Sequence, residues 1–141
     1  MEWRVAMWAD VESVLERLSD QHRAEFEPLG YPEEPFKLRL LHFLMAGECH
    51  CLWFDGQPQA FLAIAEQNGV VTTWLGVTKE AFDRGAGPIK AGRAKLREVA
   101  DRLGPITSFI TSTHPKVGQW MKLFGFAQKG DAGPAKIFVF V

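Results

Sequence analysis

Two dipeptides limit what this chain can fold into more than any other feature. Asp55-Gly56 and Asn68-Gly69 each pair residues that tolerate positive φ, the requirement at the centre of a two-residue hairpin turn. They separate three runs, residues 50–54, 59–65 and 70–77, that are rich in apolar and β-forming side chains. Three strands joined by two tight turns form an antiparallel meander.

Around the meander the period changes. Residues 1–7 read as a short opening strand. Asp10 is placed as an N-cap, and Val11, Val14, Leu15 and Leu18 recur at helical spacing, continued by His22 and Phe26 until Pro28 and Gly30. A second helix starts between Pro32 and Pro35, carries Phe36, Leu40, Leu41 and Leu44 on one stripe, and ends at Gly47. Ile89, Arg93, Leu96, Val99, Ala100 and Leu103 mark a third helix, closed by Gly104-Pro105. Residues 106–111 read as a strand, 115–124 as a fourth helix, and 126–128 and 137–141 as the last strands. The order β-α-α-β-β-β-α-β-α-β-β belongs to the α+β class, with about seven strands in a mostly antiparallel sheet and four flanking helices. At 141 residues, with no repeat or linker, it predicts a single domain over 1–141.

Bulk properties exclude several functions. A formal net charge of -1 argues against a general nucleic-acid surface. No apolar run reaches the length of a membrane span, and no signal-peptide pattern opens the chain, so the expectation is a cytoplasmic protein without a membrane partner. Cys49 and Cys51 flank His50, and on a strand the thiols share one face while the imidazole takes the other. Only His42 lies nearby, short of four convergent ligands, so two reduced thiols and no metal are expected. Trp3, Trp53, Trp74 and Trp120 read as large core residues.

The last helix carries the first family resemblance. Val117, Trp120, Met121 and Phe124 recur at helical spacing, Pro115 suits a first turn, Gly125 a stop, and Phe126 re-enters a strand. This ending resembles that of the acetyl-CoA-binding core in the GNAT superfamily of N-acyltransferases. There the pattern runs Asn, two residues, Ala, three residues, Tyr, three residues, Gly-Phe. His114, Val117 and Met121 stand at the Asn, Ala and Tyr positions. The element order is also that of GNAT domains, and the resemblance spans nearly the whole chain.

Further site residues follow from the resemblance. The family's strand-to-helix turn holds the coenzyme A pyrophosphate with Arg or Gln, two residues, Gly, one residue, Gly or Ala. Arg84, Gly87 and Ile89 overlay it, with Gly85 and Ala86 between. Independently of the family, a Gly-rich helix start attracts anions through its free amides and dipole, although Pro88 removes one donor. The alternative is a Gly-rich connection whose basic residues face solvent. The resemblance also implies that backbone from Trp74 through Leu75 to Gly76 polarises the thioester, and that His114 touches the pantetheine arm or, alternatively, caps the last helix.

The implied ligand is acetyl-CoA or another acyl-CoA, the implied partner an amine, and the implied reaction N-acyl transfer. That chemistry needs a base for the amine and a donor for the leaving thiolate. Glu66 and Glu80 are the nearest carboxylates to the central strand, and both also read as solvated turn residues. Met121 has no proton to give, the single tyrosine, Tyr31, lies between the first two helices, and Thr73, Thr111, Ser112 and Thr113 are the remaining hydroxyls. The long turn after Val77 and the divergent last helix are similar to short GNAT-like proteins of tailed phages. That likeness implies an alternative: an inactive virion-morphogenesis or interaction protein, in the host cytoplasm or the virion.

Overall fold

The computed structural model describes residues 1–112 and 114–141, so Thr113 lies outside the described residues. Seven strands form one sheet: β1 (Glu2–Val5), β2 (Glu48–Phe54), β3 (Gln57–Gln67), β4 (Val70–Val77), β5 (Ile106–Ile110), β6 (Ala127–Ala132) and β7 (Ala135–Phe140). Their order is β1-β2-β3-β4-β5-β7-β6. Every pair is antiparallel except β4 with β5. The two turn dipeptides do what their composition demands: Asp55, Gly56, Asn68 and Gly69 all have positive φ, the backbone twist that joins adjacent strands through two residues.

Six α-helices flank the sheet among the described residues: α1 (Trp8–Glu16), α2 (Asp20–Phe26), α3 (Glu34–Ala46), α4 (Lys79–Arg84), α5 (Ala86–Leu103) and α6 (Val117–Leu123). Two of them add to the four that periodicity predicts. The long first helix divides at Arg17–Ser19, and the turn after Val77 contains α4, whose six residues are too few for a periodic signal. Asp10 is not the N-cap of α1. The helix begins at Trp8, and Asp10 Oδ2 accepts the Met7 amide at 2.9 Å.

Alternation along β3 divides the core in two. Phe61, Ala63 and Ala65 pack beneath α1, α2 and α3 with Val11, Val14, Leu15, Phe26, Phe36 and Leu40. Leu62 and Ile64 face the opposite layer, where Leu96 and Val99 of α5 meet Trp120, Met121 and Phe124 of α6. Cys49 and Cys51 are buried and unbonded, on the same face as Phe61, while His50 points away to Glu48 Oε1 at 3.1 Å. Burial pushes the Cys49 thiol up to about 12 and the Cys51 thiol higher still, so both are inert packing groups. No helix among the described residues is long and apolar enough to cross a membrane.

Candidate functional site

The site begins where the sheet comes apart. β4 and β5 pair only at Val71–Ile106 and Thr72–Thr107, yet β4 runs on to Val77 and β5 to Ile110. Beyond the last pair an opening separates them. The register fixes which β4 groups face it. Thr78 N donates to Gln59 O at 3.0 Å, and alternation then turns the backbone groups of Gly76, Trp74 and Thr72 toward β3. Thr73 N is used in the Thr72–Thr107 pair, and beyond it the groups of Leu75 and Val77 turn toward the opening. Leu75 therefore presents its amide there, whereas Trp74 and Gly76 spend theirs within the sheet. Gly76 serves packing instead: a Cβ on it would lie 2.3 Å from the Phe61 ring.

Helix α2 lies across this opening, tied to both strands. At the β4 end, Ser19 N donates to Val77 O at 2.9 Å and Lys79 N to Arg17 O at 3.0 Å. At the β5 end, Thr111 Oγ1 donates to Glu25 O at 3.4 Å. Ser19 caps the helix, accepting from His22 N at 3.2 Å. His22 and Glu25, three residues apart on the inner face, reach between the strands toward Thr73, Leu75, Ser108, Trp120 and Met121. The enclosed space left among these side chains is about 10 Å³, room for one water at most.

Burial shifts both titratable groups that line this space. His22 is 1% exposed, and burial lowers its pKa to about 3, leaving a neutral ring at physiological pH. Its Nδ1 lies 3.0 Å from Ser19 Oγ. Burial raises Glu25 to about 8, because no cation or donor among the described residues compensates its charge. Trp120 packs its ring 5.7 Å from His22 and 4.7 Å from Phe82 of α4. Its indole Nε1 is buried without a hydrogen-bond partner among the described residues. A buried orphan donor costs about 1–3 kcal/mol, so this N–H carries a standing energetic loss.

Outside α2 the opening continues as a hollow of about 190 Å³, walled by Phe26, Phe43, Trp74 and Phe109, with Glu25, Thr73 and Thr111 at its base. It shares Phe43, Gln67 and Trp74 with a broader trough of about 550 Å³ that carries Arg39 and His42. Glu25 thus lines both the enclosed space and the outer hollow.

The remaining sequence-level candidates lie apart from this centre. Arg84 pairs with Asp55 Oδ2 at 2.6 Å and stacks 4.4 Å over Phe54, which ties it to the β2–β3 turn. Gly85 adopts φ 73° as the α4–α5 joint, and its carbonyl accepts the Ile89 amide at 3.1 Å. Pro88 has no amide, so Ala86 and Gly87 supply the N–H groups of the first turn of α5. His114 sits at the entry to α6, where its Nδ1 accepts Lys116 N at 3.2 Å and its carbonyl accepts Val117 N at 3.2 Å. Glu66 is exposed at the end of β3, and Glu80 is exposed on α4, accepting from Gln59 Nε2 at 3.1 Å. The Tyr31 hydroxyl donates to Leu15 O at 2.6 Å and is turned away from the opening. No cluster of metal-ligating side chains occurs among the described residues. Sequence reading missed Glu25 and took His22 and Trp120 as helix-face residues. The local signal available was Ser19 as an N-cap starting a separate helix.

A mixed sheet that parts between two parallel central strands, with a long helix returning from β4 to β5, defines an acyltransferase-type α+β fold. The model of the Acetyltransferase (GNAT) domain matches residues 2–109, and the chain belongs to that family. Solved structures agree on the fold. The PaiA N-acetyltransferase of Thermoplasma acidophilum, determined in complex with coenzyme A, superposes with a TM-score of 0.70 at 13% identity, over 99% of this chain and 97% of that one. The GNAT domain of S. lividans PAT gives 0.69 at 16% identity, over 98% and 88%. A GNAT superfamily phosphinothricin acetyltransferase from Sinorhizobium meliloti, in complex with AcCoA, gives 0.62 at 17% identity, over 98% and 85%. No curated protein matches the chain.

Proposed function

We propose that this protein is an acyl-CoA-dependent N-acyltransferase that works in the opening between β4 and β5. The observation that carries the reading is the end of β4–β5 pairing after Thr72–Thr107, which leaves the Leu75 amide facing a space rather than a strand. The coenzyme-bound state of two solved structures of the same fold supports it. Acyl-CoA would supply the activated thioester. Leu75 N–H is the group oriented to polarise a carbonyl. Trp120 Nε1, a buried donor lacking a partner, fits a ligand oxygen or sulfur and stands in for the tyrosine absent at position 121. Ala86 and Gly87, at the start of the 18-residue α5, would receive a phosphate on their amides.

In the state described, His22 and Glu25 of α2 and the Trp120 ring close the enclosed space beside Leu75. Ligand entry therefore requires α2 to shift, and the few hydrogen bonds that tie it down, two backbone bonds at the β4 end and one from the Thr111 hydroxyl at the β5 end, make that motion a local one. The same closure favours a second reading, a GNAT-fold interaction protein that has lost catalysis.

A melting experiment with coenzyme A separates the two. Ligand at 100 times its dissociation constant adds about 2.7 kcal/mol, expected to raise the melting temperature by roughly 5–10 °C in a domain of this size. Gly87→Trp should remove that rise by filling the amide cradle. No rise at millimolar coenzyme A selects the interaction protein, and an unchanged rise in Gly87→Trp moves the phosphates elsewhere.

A further inference from the structure

Resting on the acyltransferase reading, the geometry points to Glu25 as the residue that takes the acceptor's proton. It also points to the hollow outside α2 as the site of a primary amine carried on an apolar body with an anionic group. Glu25 is the only titratable side chain among those lining the hollow, and it also lines the enclosed space beside Thr73 and Leu75. A group entering the hollow thus meets this carboxyl on the way to the polarising Leu75 amide. His22 is the one other titratable side chain lining the enclosed space, and as a neutral ring it adds no charge. The walls are aromatic, from Phe43, Trp74 and Phe109, suited to a flat or branched apolar body. The adjoining trough adds Arg39 and His42 and no carboxylate. Arg39 donates to Leu29 O with one nitrogen, a contact that holds the guanidinium at the trough wall. An amine with a carboxylate or phosphate a short distance away matches this sequence of cation, aromatic wall and carboxyl.

The chemistry balances without another reactant. The acceptor arrives as an ammonium and passes one proton to the Glu25 carboxylate. Its nitrogen lone pair bonds to the acyl carbon, the C–S bond breaks with its electrons on sulfur, and a second N–H proton goes to that sulfur. The amide keeps the third hydrogen. Before the amine binds, Glu25 is largely protonated at neutral pH, so pairing with an ammonium must expel a proton to solvent.

Phenylalanine and phenethylamine, which share one body and differ by the carboxylate, are the probes. Calorimetric titration of the intact protein at pH 7, in two buffers of different ionisation heat, should show nearly one proton released per phenylalanine bound. Glu25→Gln should release none, and with acetyl-CoA should lose roughly 10²–10³-fold in kcat while its coenzyme-induced melting rise is kept. Phenethylamine should bind wild type at least tenfold more weakly than phenylalanine, and that gap should vanish in the exposed-site variant Arg39→Ala. Equal proton release in Glu25→Gln, or kcat within threefold of wild type, overturns the role of Glu25. Equal binding of the two probes overturns the anionic acceptor. Absence of any coenzyme-induced rise in wild type overturns the acyltransferase reading and this inference together.

Discussion

Gly47→Ala is expected to destabilise the protein by about 4 kcal/mol, among the larger effects a single methyl can have. Gly47 joins α3 to β2 with φ -147° and ψ -135°. A Cβ there would stand 1.9 Å from Ile64 O and 2.9 Å from Ala65 Cα. Both neighbours are backbone of β3, the most enclosed strand, so no rotamer change relieves the contact. Either β3 moves, carrying Phe61 and the α1–α3 layer with it, or α3 peels from the sheet at the first β2–β3 pair, Glu48–Ile64. Urea unfolding reads the result: a midpoint within a few tenths of wild type would show that the α3–β2 junction can absorb a side chain.

The second large effect is in the pH dependence of stability. Glu25 rises from an ordinary 4.5 to about 8 on folding, so the folded state holds this proton more tightly and stability is lost as pH climbs through that window. His22 falls from 6.5 to about 3, so its contribution is present above 6.5 and is lost as pH drops. Between about pH 4.5 and 6.5 the two slopes oppose, and a plateau is expected there. Above 6.5 only Glu25 remains, and the unfolding free energy should fall by about 2 kcal/mol by pH 8.5. Below 4.5 His22 is joined by Glu48, held at about 2 chiefly by its hydrogen bond with Arg102, and stability should drop again. In Glu25→Gln the alkaline decline should disappear. Denaturant titrations of both proteins at pH 5.5, 6.5, 7.5 and 8.5 test this, and parallel declines would remove Glu25 as its source.

Much of the scaffold was legible because it rests on local chemistry. Asp55-Gly56 and Asn68-Gly69 announce their turns through backbone preference, and the Gly125 stop and Phe126 strand entry follow the same logic. The break between α1 and α2 was hidden for a physical reason. Val11, Val14, Leu15, Leu18, His22 and Phe26 keep one period across it, and the division comes from Ser19 and Arg17 bonding to the far end of β4. Helix α4 was hidden by its length.

The site was less legible than the scaffold. Trp74, Leu75 and Gly76 are adjacent in sequence, yet the strand register gives them three different tasks: a wall of the hollow, a free amide and a bed for Phe61. Glu25 is one of several acidic residues between Asp10 and Glu27, with no local mark of its own. Its raised affinity for a proton arises where α2 crosses β4 and β5, a juxtaposition that no local pattern records. His114 shows the converse. Its position matched a family pattern, while its side chain caps the approach to α6.

An acyl-CoA is expected to seat between β4 and β5 once α2 gives way. Amide hydrogen exchange with and without acetyl-CoA tests it at the residues concerned. Slower exchange is expected at Leu75 and at Ala86 and Gly87 when ligand is bound, with faster exchange at Ser19 as α2 lifts from Val77. Unchanged exchange at Leu75 under saturating acetyl-CoA, or protection confined to residues outside β4 and the start of α5, would contradict it.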